Sequence, residues 1–284
     1  MPTGPVTADA IKAFINTVYE DAMYVARDNN LMLPLVTFFG DRSGTAARAS
    51  SIYGTAIMQS VGETDDLASQ TFAPTSLATL TPAEIGGQFF VTDTRIETDF
   101  NQVRSDAAQE LGLALAQKIE IDLLGDFSSL TGGTIGAAST VITWGHVLAG
   151  LSVLRGQLAP LPYTLVLHPY QWHVLGKAVA PGATVTNAPM FQDSVMRNFY
   201  VGSVSGINIF TSANIGGAGT NTARGAIFAR PAIAFDSRRA PRLEPERDAS
   251  RRGWELNQTG LYAHGVWRPK FGVQMVFDCA VPTS

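Results

Sequence analysis

The chain has 284 residues, 45% of them hydrophobic and only 15% charged, enough to bury a sizeable core in one elaborate domain or two intertwined ones. Its formal net charge is −4, so it lacks the overall basic footprint of a dedicated nucleic-acid binder. No run of about 18 apolar residues could span a bilayer, and residues 1–10 lack the basic and apolar parts of a secretory signal, which predicts a chain made and used in a cytoplasm with no membrane partner.

Residues 7–27 place Ile11, Phe14, Ile15, Val18 and Ala22 on one helical face behind Thr7 as an N-cap. Asp28, Asn29 and Asn30 close this amphipathic arm, and Pro34 prevents a restart. Between 45 and 92 short strand-like runs, 51–53, 56–61, 77–80 and 88–91, surround a polar, acidic centre at 62–74. Their apolar content is too thin for a separate core, which predicts a long hairpin with an exposed acidic tip carrying Glu63, Asp65 and Asp66.

The clearest element covers 99–127, where Val103, Ala107, Leu111, Leu115, Ile119, Leu123 and Phe127 recur every fourth residue. Asp99 with Gln102 reads as a capping box, and the helix would run roughly 40 Å at 1.5 Å per residue. The pairs Asp106 with Glu110 and Asp122 with Asp126 fall on its polar side and read as a solvated or interface face.

Residues 128–140 read as a Gly/Ser/Thr loop. A second helix at 144–158 has Val147, Leu148, Leu151 and Leu154 apolar, and 163–167 is a buried strand that stops at His168-Pro169 before a helix at 170–179. Strands are expected at 204–210, 226–235, 254–262 and 273–277, with 216–222 as a flexible connection. The order is α+β.

Sites for chemistry are hard to find. His168 and His173 are five apart, which misses the i, i+4 spacing of two zinc ligands on one helical face, and no Glu lies between them. Gly202-Ser203-Val204-Ser205-Gly206 has Val where a nucleophile elbow needs Ser, and reads as a turn into a strand. Gly216-Gly217-Ala218-Gly219 lacks the Lys and Ser/Thr of a phosphate loop. The single Cys279 excludes an internal disulfide and a Cys-based metal cluster, and reads as a small buried apolar residue. These readings imply no catalytic residue, no metal and no cofactor.

Charge is unevenly spread. Residues 60–126 hold twelve acids against Arg95, Arg104 and Lys118, a net −9, whereas 197–270 hold eleven basic residues against five acids, a net +6. The two segments can attract each other within or between subunits, or form two solvated faces that never meet. Between subunits, the acidic tip would lie against Arg238, Arg239, Arg242, Arg247, Arg251 and Arg252 of a neighbour. Arg outnumbers Lys sixteen to four, which suits bidentate ion pairs at interfaces.

Four stretches in this order resemble the Hong Kong 97-like capsid fold of tailed-bacteriophage major capsid proteins and encapsulin shells. Thr79-Leu80-Thr81-Pro82-Ala83-Glu84-Ile85-Gly86 running to Phe90-Val91-Thr92-Asp93 looks like the return strand of that family's extended loop. The long helix ending in Leu123-Leu124-Gly125-Asp126 resembles its spine helix, and Leu165-Val166-Leu167-His168-Pro169-Tyr170-Gln171-Trp172 its axial-domain strand and helix. Gly206-Ile207-Asn208-Ile209 and Trp267-Arg268-Pro269 followed by Val273-Gln274-Met275-Val276 match its closing strands. The resemblance implies an N-terminal arm at 1–44, an extended loop at 45–92, a peripheral domain with the spine helix at 93–140 and 250–284, and an axial domain at 141–249.

It further implies a shell subunit of the virion, assembled in a host cytoplasm. Its partners would be itself in hexamers and pentamers, a separate scaffolding protein, a portal, a decoration protein, and packaged double-stranded DNA through non-specific contacts. Some members of the family join subunits through a loop Lys and an Asn, helped by a late Glu. Here no Lys occurs between Lys12 and Lys118 and no Glu after Glu255. An encapsulin-like compartment and, in another class, a cytoplasmic α/β enzyme with an unrecognised site remain as alternatives.

Overall fold

The computed structural model describes residues 31–53, 58, 60–62, 74–178, 200–204 and 206–283. The expected arm helix at 7–27, residues 56, 57 and 59 of the run 56–61, and the acids Glu63, Asp65 and Asp66 lie outside them. In chain order the strands and helices are β1 (Thr37–Phe39), β2 (Arg48–Tyr53), β3 (Pro74–Leu80), β4 (Ala83–Thr92), α1 (Asp93–Gly125), β5 (Thr134–Gly136), α2 (Trp144–Gly156), β6 (Tyr163–Leu167) and α3 (Pro169–Lys177). Then come β7 (Tyr200–Val204), β8 (Ile207–Thr211), β9 (Ala223–Ala229), β10 (Ile233–Asp248), β11 (Gly253–Val266) and β12 (Gly272–Phe277).

Three sheets result. One has the order β1-β10-β11-β4, a second the order β5-β12-β9-β6-β8-β7, and β2 with β3 forms a two-stranded sheet. The expected hairpin therefore closes at Leu80, where β3 ends. After Thr81-Pro82 the chain leaves it, and β4 pairs antiparallel with β11 from Ala83–Tyr262 to Thr92–Gly253.

The six-stranded sheet shows how period-2 side-chain alternation builds two cores. On β6 and β9, Leu165, Leu167, Ile227 and Ala229 join Val147, Leu151 and Leu154 of α2 and Leu175 of α3 on one face. Val166, Ala226 and Phe228 turn to the other face, against Ile119, Leu123 and Leu124 of α1, Phe127, and Ile233, Phe235 and Tyr262 of the four-stranded sheet. Burying such side chains is worth about 1.5–3 kcal/mol each. Helix α2 lies so close on the sheet that a methyl on Gly150 would come within 2.9 Å of Ile227 Cγ2.

The row on α1 is confirmed from Leu111 onward: Leu111, Ile119, Leu123 and Phe127 are buried and Leu115 half-buried. Its start is not where the sequence pattern placed it. The helix begins at Asp93, so Asp99 lies inside it and not at its N-terminus. Asp93 sits in the first turn, where negative charge meets the positive end of the helix. Arg247 grips it with two bonds, Nη1–Oδ1 3.1 Å and Nη2–Oδ2 2.7 Å.

Other expectations need correction. The run 226–235 is two strands, because Arg230–Ala232 with Pro231 makes a 3-10 turn that redirects the chain from the six-stranded to the four-stranded sheet. The run 204–210 is the meeting of β7 and β8 through Gly206, whose φ of +82° suits glycine. The loop 128–140 contains β5, paired parallel to β12. The connection 216–222 is stitched down: Gly219 N–H donates to Cys279 O at 2.9 Å, and Cys279 N–H to Thr220 O at 3.1 Å. Cys279 itself is buried.

Strand β10 belongs with β11 in the four-stranded sheet, whereas β12 lies between β5 and β9 in the six-stranded one.

Candidate assembly site at the hairpin root

Leu80 and Arg48 fasten the β2–β3 hairpin to the four-stranded sheet. Leu80 is buried against Ala234 and Ala263, with Phe39 and Trp267 beside them. Arg48, at the start of β2, crosses Phe39 with its guanidinium 4.3 Å from the ring centre and donates from Nε to Asp236 Oδ2 at 2.7 Å. It also pairs with Asp41. Burial pushes the Arg48 pKa down, but the bonds to Asp236 and Asp41 outweigh it and raise it, while the Arg48 hydrogen bond holds the Asp41 carboxyl below its ordinary value.

Asp236 is fully buried on β10, and its Oδ2 lies 2.9 Å from Nη2 of Arg238, whose side chain is 1% exposed. The backbone here is irregular: the β10–β11 register shifts between Ser237 and Arg239 and again between Arg239 and Arg242. A bulge of this kind re-aims side chains out of strict alternation. It turns Arg238 inward beside Asp236.

The remaining candidates occupy different positions. Arg239 pairs with Glu84 at 2.5 Å and Arg242 with Glu244 at 2.9 Å. Arg247 binds Asp93, and Arg251 pairs with Glu255 at 3.2 Å while lying over the Phe90 ring. Arg252 is exposed in the β10–β11 turn at φ +53°. The pairs Arg239–Glu84 and Arg247–Asp93 join the basic segment to the acidic one within a single subunit.

A second polar junction ties β11 to the C-terminal end of α1. Tyr262 donates to Asp122 Oδ2 at 2.8 Å, His264 Nδ1 lies 3.0 Å from Asp126 Oδ2, and Lys118 Nζ lies 2.6 Å from Asp122 Oδ1. Asp122 and Asp126 thus bind within the subunit and are not a free polar face. The bond to Asp126 raises the His264 pKa despite its burial, and burial raises that of Asp126. A His with a raised folded pKa stabilises fully below its unfolded value of about 6.5, and that contribution is lost as pH rises through the higher folded value. Asp126 acts in the same direction at lower pH. The melting temperature is therefore expected to fall between about pH 6 and 8, and His264→Gln to flatten that slope. An unchanged slope in calorimetry would show that His264 does not titrate there.

Glu120, one turn earlier, is buried and accepts from Ser212 Oγ and from the backbone N–H of Leu31 at 3.2 Å. It joins the spine to the segment where the described chain starts. The histidines at 168 and 173 part company: His168 Nδ1 accepts from Tyr170 N–H at 3.2 Å and caps α3, in keeping with a pKa lowered by burial, while His173 lines a surface groove. Among the described residues no helix is long and apolar enough to cross a membrane.

Nothing in the sequence pattern singled out Arg48, Asp41 or Asp236. Arg48 and Asp236 are 188 positions apart, and only the pairing of β10 with its neighbours brings them together.

The folded chain resembles several solved particle subunits. The capsid protein of cyanophage P-SCSP1u superposes with a TM-score of 0.64 at 16% identity over 85% of this chain and 86% of that one. The capsid of Ralstonia phage GP4 gives 0.65 at 10% identity over 88% of each. The virus-like particle of Pyrococcus furiosus gives 0.62 at 10% identity, over 92% of this chain and 99% of that one. At such identities the likeness concerns the fold, which the phage capsids share with that virus-like particle. No curated protein sequence matches the chain. Sequence does decide the family: the phage capsid protein profile matches residues 77–275, from inside β3 through the spine helix and both large sheets into β12, and the chain therefore belongs to the phage capsid protein family.

Proposed function

We infer that this major capsid protein assembles through hexamers and pentamers into an icosahedral head around double-stranded DNA. The four-stranded sheet with α1 serves as its peripheral domain and the six-stranded sheet as its axial domain. The family match over 77–275 carries the reading. It is supported by the β2–β3 hairpin, a separate two-stranded unit whose root is fastened to the four-stranded sheet, since such a unit is marginal in water until it lies on something else. Exposed Met58, Leu158 and Leu161 are apolar surface of the kind that neighbouring subunits cover. A separate scaffolding protein, a portal and a decoration protein complete the head, assembly takes place in the host cytoplasm, and DNA meets the inner wall without sequence preference. Within this role the chain acts mechanically and carries out no reaction.

Electron microscopy of the purified protein tests this directly: closed hollow particles are expected, and a small soluble oligomer would overturn the reading. The missing loop Lys and late Glu lead to a further expectation. Particles boiled in denaturant should release a single band near 30 kDa, the mass of one chain. A ladder that survives both boiling and reduction would establish covalent joining by other residues.

A further inference from the structure

Beside the hairpin root, Phe38 and residues 40–43 and 237–240 enclose an open cleft of about 480 Å³. Its floor is made by the bulged part of β10. Arg238 lines it with a side chain that is almost wholly buried, yet neither its Nε nor its Nη2 has a hydrogen-bond partner among the described residues. Nη2 lies within ion-pair distance of Asp236 without a directed bond, and Nε of Arg239, also lining the cleft, is unpartnered too.

A buried guanidinium normally has its donors satisfied, because leaving them dry and unmatched is costly. The local charges are uneven as well. Among the described residues, four guanidiniums, those of Arg42, Arg48, Arg238 and Arg239, face three carboxylates, those of Asp41, Asp236 and Glu84. One more carboxylate would balance the set and supply acceptors for the idle N–H groups.

We propose that the cleft receives a carboxylate from the acidic segment Glu63-Thr64-Asp65-Asp66 of a second copy of this chain. The proposal rests on the shell reading and names one of its contacts. Charge complementarity selects the occupant: this segment holds three acids within four positions and no basic residue, and it belongs to the hairpin that lacks a surface of its own. An arginine fork matches a carboxylate with two parallel bonds. Of the six arginines that sequence offered as partners for the acidic tip, Arg238 and Arg239 are thus selected, Arg42 is added, and Arg242, Arg247, Arg251 and Arg252 are set aside.

The test uses assembled particles of the full chain. Arg42 lies at the rim with its side chain about half exposed, and the native Cys279 is buried. Arg42→Cys is combined in turn with Glu63→Cys, Asp65→Cys and Asp66→Cys, the particles are treated with a short bismaleimide, and the chains are separated in denaturant. At least one pair should give a ladder of multiples of 30 kDa that neither single cysteine gives. A link confined within one chain would overturn the proposal, as would particles that form without any link.

If the cysteine variants do not assemble, charge exchange decides. Glu63→Lys/Asp65→Lys/Asp66→Lys should lower particle yield about ten-fold at low salt, with recovery at about 1 M salt, where charges are screened within about 3 Å. Adding Arg42→Glu should restore part of the yield, and no change from either variant would overturn the contact. A melting temperature raised by inorganic phosphate, together with no link, would assign the cleft to a phosphate instead. Failure of the wild-type protein to form particles would remove the shell reading and this contact together, whereas particles without links remove the contact alone.

Discussion

Asp236→Ala is expected to lower the melting temperature of the protein by roughly 10 °C, because the change leaves two buried guanidiniums facing each other. Among the described residues Asp236 is the one carboxylate fully enclosed at the hairpin root, and both Arg48 and Arg238 approach the same oxygen, Oδ2. Removing one partner of a buried ion pair costs about 3–5 kcal/mol, since the charge left behind is neither hydrated nor compensated. Replacing all three charged side chains is less harmful. A triple variant Arg48→Met/Asp236→Leu/Arg238→Met, with apolar groups of similar volume, should recover most of the stability. If Asp236→Ala melts within about 1 °C of the wild type, the guanidiniums reach water or other acids, and the buried cluster does not hold the hairpin root.

Phe127→Ala is expected to cost about 3–5 kcal/mol, the usual range for deleting a fully buried aromatic ring. The ring lies just beyond the C-terminal end of α1, 5.7 Å from the Phe228 ring on β9, in the core where the spine and the two large sheets meet. A cavity here loosens all three at once. Insoluble protein, or a denaturant midpoint shifted far below that of the wild type, is the expected observation. Leu115→Asp provides the contrast: Leu115 is only half-buried, so a carboxylate there can turn toward water and should be tolerated better than Leu123→Asp, whose position is closed. Equal losses from the two would mean that the row on α1 is covered more evenly than its exposure indicates.

Much of the architecture was legible wherever one face of an element is uniformly apolar. The row from Leu111 to Phe127 and the wholly buried Tyr163–Leu167 carry their own periodicity, and His168-Pro169 marks a strand end and a helix start by local chemistry alone. Strand β10 is the opposite case. From Arg238 to Asp248 it holds four arginines and three acids on alternating and bulged positions, together with Pro241 and Pro245, and reads as a polar connection. It becomes a strand only because β11 offers thirteen paired positions along its length. The start of α1 was misplaced for a similar reason. Asp93 is held by Arg247, more than 150 residues away, whereas Asp99 merely looks like a local cap. The cluster of Arg48, Asp236 and Arg238 has no local signature at all, since its members meet only through strand pairing and a bulge.

The order in which strands enter the sheets bears on how the protein is made. The chain lays down β1 and β4 for one sheet, crosses to build most of the other, returns for β10 and β11, and only then supplies β12 to an interior position between β5 and β9. A nascent chain emerging from the ribosome can therefore complete neither large sheet from a contiguous stretch, and the six-stranded sheet stays split until Gly272–Phe277 is available. Pairings this distant in sequence form late. Translation thus acts as a timer: a polypeptide interrupted before β12 has two unpaired strand edges, the hallmark of substrates for chaperones and proteases, and cannot enter a growing lattice as a finished tile.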